Sequence, residues 1–89
     1  MYEIIIRQLV ICPEFRKHLS QKCKSPISPF PGLWLTVQPD FGDEIVDKVG
    51  VDLTTGEISV YLHLMHFETL ADAAHYVEGM KQKGFKEGF

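Results

Sequence analysis

Eighty-nine residues, 45% hydrophobic and 24% charged with a formal net charge of −3, describe one small domain over residues 1–89 and exclude a second independent core. A chain of this size buries only about 60–65% of its unfolded surface, which leaves room for a shallow groove and little for a deep enclosed active site. Charge is uneven along it: residues 1–37 sum to +3, residues 38–79 to −8 and residues 80–89 to +2. An acidic middle between basic ends argues against general nucleic-acid binding, which needs a continuous positive face.

Tyr2 to Ile11 is rich in β-branched residues and stops before Pro13, which predicts a central strand. The run has no basic leader and is too short for a bilayer, so neither a signal peptide nor a membrane span is expected. With two cysteines and no export signal, a cytoplasmic setting with reduced thiols is expected. Pro13 suits the first turn of a helix, and Phe15, Leu19 and Cys23 follow as an i, i+4, i+8 stripe. The segment 24–32 holds three prolines and reads as a stiff connection, although its Pro26 and Pro29 match a P-x-x-P spacing. Leu33 to Gln38 alternates as a short strand, "PDFGDE" is a turn, and Ile45 to Leu53 is the next strand with Val49, Val51 and Leu53 inward. Gly56 supplies a hairpin turn into a fourth strand, "ISVYLHLMHF". Thr69 then caps a helix carrying Leu70, Ala73, Ala74, Val77 and Met80 at helical spacing, which Gly84 ends so that Phe85 can fold back.

The expected fold is a two-layer α+β domain of order β-α-β-β-β-α, a four-stranded mixed or antiparallel sheet with two helices on one face. On this plan Ile58, Val60, Leu62 and Leu64 lie beneath the helices. Tyr61, His63, Met65 and Phe67 then line the uncovered face, and Trp34 extends it by the same alternation.

Signals for chemistry are weak. His63, His66 and His75 suggest a metal, but strand positions three apart face opposite sides and lie about 10 Å apart, so neither a metal nor another cofactor is expected. Cys12, at the start of the expected helix and one turn from Arg16, is the one candidate nucleophile, because a helix N-terminus favours the thiolate. That makes a small thiol-dependent enzyme the alternative reading. Across the expected helix Cys12 and Cys23 stand about 16 Å apart, too far for a disulfide. No glycine-rich phosphate loop, G-x-S-x-G or H-E-x-x-H motif occurs, and the acids of "DFGDEIVD" lack calcium-loop spacing.

Recognition is the function class that remains. Tyr, Met, Phe and Trp are enriched at the cores of interfaces, so Trp34, Tyr61, His63, Met65 and Phe67 are the expected anchors. Asp40, Asp43, Glu44 and Asp47 form an expected acidic rim able to steer a basic partner. The cover could be the 24–32 loop, a second copy in a homodimer, or another protein. A hairpin running into "HFETLADAAHYVEGMKQKGF", within a small acidic α+β domain, resembles the build of phage-encoded inhibitor proteins, including some anti-CRISPR proteins. The resemblance covers less than a third of the chain, has no diagnostic motif and assigns no residue roles. It implies a non-catalytic protein-binding module, an inhibitor of phage or mobile-element type that occupies a surface on a host protein complex.

Overall fold

The computed structural model of the protein describes residues 1–36 and 44–88. In chain order the elements are strands β1 (Tyr2–Cys12), β2 (Phe15–Ser25), β3 (Trp34–Leu35), β4 (Glu44–Val51), β5 (Ile58–Leu62) and β6 (Met65–His66), helix α1 (Leu70–Gln82) and strand β7 (Lys86–Glu87). The α+β class holds, but the domain has seven strands and one helix among the described residues, not four strands and two helices.

The missing helix is β2. Phe15, Leu19 and Cys23 are four apart, and four is a multiple of the strand period of two as well as close to one helical turn, so the stripe fits either structure. Pro13 and Glu14 form the two-residue turn of a hairpin that pairs Cys12 with Phe15 and runs in register to Tyr2 and Ser25. Proline's fixed φ suits the second position of that turn as well as it suits the start of a helix. Eleven paired residues on a central strand then outweigh the weak helix preference of "RKHLSQK".

The sheet runs β3-β4-β5-β1-β2-β7, with β6 also pairing β1. β1 is parallel to β5 and β6 and antiparallel to β2, so it takes hydrogen bonds from both sides along most of its length. Its even-numbered residues Ile4, Ile6, Val10 and Cys12 are buried under α1, where they meet Leu19, Val46, Val60 and Leu62. The helix adds Ala73, Val77 and Met80 to this layer.

One extra residue between β5 and β6 reorganises the end of the sheet. Ile4 to Arg7 pair with Ile58 to Tyr61, whereas Val10 and Ile11 pair with Met65 and His66. The offset grows from 54 to 55, so the chain at His63–Leu64 bulges by one residue and every later side chain changes face. Buried Gln8 fills the gap opposite the bulge, with Nε2 donating to the His63 carbonyl at 2.8 Å and Oε1 accepting from Tyr76 Oη at 2.6 Å.

At the start of α1, Thr69 Oγ1 accepts from the Asp72 N–H at 3.2 Å, as its sequence implies. At its end, Gly84 N–H reaches the Lys81 carbonyl and Phe85 N–H the Met80 carbonyl, a Schellman closure that drives Phe85 into the core. Gly84 has φ +99°, a left-handed conformation that favours glycine, and a Cβ there would also displace the end of the Gln21 side chain. The half-buried Lys83–Glu44 pair at 3.1 Å ties the helix end to β4. No helix among the described residues is long and apolar enough to cross a membrane.

Gln8→Leu removes the donor to the His63 carbonyl and the acceptor of the Tyr76 hydroxyl. It is expected to lower stability by roughly 1–3 kcal/mol in urea unfolding. Burial, then the nearby Glu44 carboxylate, pushes the Tyr76 hydroxyl up to about 12, against the small opposing effect of its hydrogen bond to Gln8. The neutral phenol therefore stabilises the fold fully below pH 10, and this contribution is lost as pH rises toward 12. Between those values the wild type should lose more stability than Tyr76→Phe, measured as the shift in urea midpoint.

Candidate functional site

The helix covers one face of the sheet only. On the other, β1 contributes Ile5, Arg7, Leu9 and Ile11, which are half-buried by their neighbours. Tyr61 of β5 stands beside Arg7 in register, and Lys48 of β4 lies over its ring at 5.3 Å. Farther out, Trp34 pairs with Ile45 on β3 and β4, and both are exposed, at 68% and 44%. β2 completes the face with Arg16, His18, Lys22 and Lys24, opposite Ile11, Leu9, Ile5 and Glu3.

Arg7 lies flat across the middle, its side chain 12% exposed. It donates from Nε to Ser59 Oγ at 3.1 Å and from Nη2 to Glu57 Oε1 at 2.9 Å. Two shallow hollows flank it. One is lined by Ile5, Ser20, Lys22, Glu57 and Lys86, the other by Leu9, His18, Asp47, Lys48, Tyr61 and Leu64. Neither is lined by a residue of the 24–32 loop: Gly32 N–H bonds the Val46 carbonyl at 2.8 Å, and Ile27 and Phe30 stay 48% and 51% exposed.

The bulge divides the expected anchors. Trp34 and Tyr61 are on the open face, and exposed His63 sits at its margin, with Nδ1 3.5 Å from Asp47 Oδ1. Met65 and Phe67 are not on it: the change of parity turns both toward the helix, where they pack on the core and Phe67 stacks at 5.3 Å on Tyr76. Leu64, expected in the core, emerges 53% exposed beside Leu9 instead, and His66 follows Ile11 outward. A one-residue insertion in a strand leaves no mark in an alternation pattern already rich in apolar residues.

The expected acidic rim also changes. Asp40 and Asp43 lie outside the described residues. Glu44 is on the helix side, held by Lys83, and only Asp47, beside its own bulge in β4, borders the open face. What sequence reasoning missed is the basic character of this face. The signal was the +3 sum of residues 1–37, which a hairpin gathers on one side and a helix would have spread.

Cys12 is buried at the hairpin end of β1 on the helix side, and no helix begins there. Arg16 pairs with Ile11 and so points to the opposite face. The dipole and the arginine that would activate this thiol are therefore absent from its surroundings. Cys23 is half-buried, and burial pushes its thiol up. Among the described residues no group of three or more His, Cys, Asp and Glu side chains is placed to hold a metal ion.

Comparison with protein-family models, curated proteins and solved structures finds no match to this chain.

The two sides of the bulge respond differently to a new charge. Phe67→Asp is expected to cost about 3 kcal/mol or more, since it removes a packed ring and buries a carboxylate. Trp34→Asp, on the exposed edge, should change stability by no more than about 0.5 kcal/mol. Parallel urea titrations of the two variants check both values.

Proposed function

We propose that this protein is a non-catalytic binding module that attaches to another protein through the open face of its sheet. One observation carries the proposal: the apolar stripe of Ile5, Leu9, Ile11 and Tyr61, continued by Leu64 and Trp34, runs across a face that no element of the described chain covers. A stripe of aliphatic and aromatic groups crossed by a central arginine and bordered by charge has the composition of an interface core with a polar rim. Tyr61 and Trp34 are the anchors, and His63 with Asp47 lies at the edge.

The role extends to inhibition. A small domain of the phage or mobile-element type, anti-CRISPR proteins among them, would act by occupying a surface on a host protein complex, and a flat sheet face suits such occupation.

Leu9 lies half-buried at the centre of the open face, outside the core cluster, so Leu9→Asp places a charge within the stripe and tests the proposal. Burying a leucine is worth about 1.5–3 kcal/mol, or roughly 10- to 100-fold in affinity. Tagged wild type is expected to retain a protein from host lysate in stoichiometric amount, and Leu9→Asp, shown folded by circular dichroism, to retain at most a tenth of it. Equal retention by both, or none by either, removes the proposal.

A further inference from the structure

The partner's chemistry follows from how charge is divided between the two sides of the sheet. The chain has nine Lys and Arg residues, and strand alternation places six of them, Arg7, Arg16, Lys22, Lys24, Lys48 and Lys86, on the open face. The other three, Lys17, Lys81 and Lys83, are on the helix side, and each is paired with an acid. Lys17 and Lys81 hold Glu87 at 2.9 and 3.0 Å, and Lys83 holds Glu44 at 3.1 Å. Hydrogen bonds and charge from those two lysines hold Glu87 below its ordinary carboxylate value.

The open face is different. Arg7 is matched by Glu57, and Lys48 rests on the Tyr61 ring. Arg16, Lys22, Lys24 and Lys86 are exposed and form no ion pair among the described residues. Glu3 and Asp47 lie at opposite ends of the face, and Glu87, though held by Lys17 and Lys81, borders the hollow beside Lys22 and Lys86. Among the described residues, a protein with a net charge of −3 thus gathers its unpaired cations around an apolar stripe that no described element covers.

Resting on the binding role above, we infer that the surface received by this face is an acidic protein surface: carboxylates spaced to meet Arg16, Lys22, Lys24 and Lys86, around apolar side chains that fill the hollows beside Leu9 and Tyr61. Carboxylates would steer the encounter and fix its register, while the apolar stripe supplies the affinity. A nucleic acid is the less suitable polyanion. Ile5, Leu9 and Ile11 offer aliphatic edges where bases need aromatic platforms, and Glu57 and Glu3 interrupt the path of a phosphate backbone. A second copy is the third anionic occupant, since the exposed side of α1 carries Asp72 and Glu78.

The test uses a labelled twelve-residue peptide of alternating Glu and Leu, its Lys and Leu counterpart, and a (dT)20 oligonucleotide, each titrated by fluorescence anisotropy. They are titrated against wild type, Leu9→Asp and the double variant Lys22→Glu/Lys24→Glu. The acidic peptide is expected to bind, to weaken at least about fivefold on charge reversal and to weaken further as salt rises, while the basic peptide stays free. Equal binding of both peptides, or no effect of charge reversal, overturns the inference. Tighter binding of (dT)20 overturns it in favour of nucleic acid. Self-association in sedimentation equilibrium that the double variant abolishes overturns it in favour of a second copy. In lysate capture, loss of the retained protein by Leu9→Asp but not by the charge reversal removes the acidic partner and leaves the binding role standing. Retention by both variants removes the role itself.

Discussion

The carboxamide of Gln8 is the contact on which the shape of this domain turns. A strand with an inserted residue exposes a carbonyl that its neighbour cannot reach, and in a buried setting that group needs another donor. Gln8 supplies it from the middle of β1 and accepts the Tyr76 hydroxyl with its other end, joining the bulge to the helix. Because the bulge is held, Met65 and Phe67 go inward and Leu64 and His66 outward. A polar side chain in an otherwise apolar row thereby decides which residues the protein shows to its surroundings.

The same sheet separates two electrostatic regimes. On the helix side every lysine is held by an acid: Lys83 by Glu44, and Lys17 and Lys81 together by Glu87. Each such pair is worth little alone, but together they tie the C-terminal end of α1 and the following β7 to β4 and β2. On the open side most of the cations form no ion pair among the described residues, and Arg16 and Lys22 stand opposite Ile11 and Ile5. The overall negative charge conceals this division, since a net value sums over faces that no partner meets at once.

The α+β class and several local features of the fold were legible in the sequence. The β1 run, the Gly56 turn, the Thr69 cap, and the closure by Gly84 and Phe85 depend on local signals, and each stands where its residues imply. β2 was not legible, because a spacing of four satisfies helix and strand alike and the decision came from its long pairing with β1. That one substitution of element also hid the site: a helix over 13–23 would scatter Arg16, His18 and Lys22 around its circumference, whereas a strand aligns them. Trp34 and Tyr61 followed from alternation alone. Met65 and Phe67 did not, since the insertion at His63–Leu64 is fixed by a residue more than fifty positions away.

β2 is also nearly an outer edge. Among the described residues it is met on its far side by β7 only at Leu19 and Ser20, so most of an eleven-residue strand is open to a foreign strand. Lys22 and Lys24 stand along that stretch, and a like strand laid against it would bring ammonium groups together, which is how natural sheets discourage stacking. The two lysines thus guard a border as well as furnish a surface. Glutamates in their place would repel one another equally well and keep the border closed. Alanines would open it, and a loss of binding could then be confused with the formation of fibres.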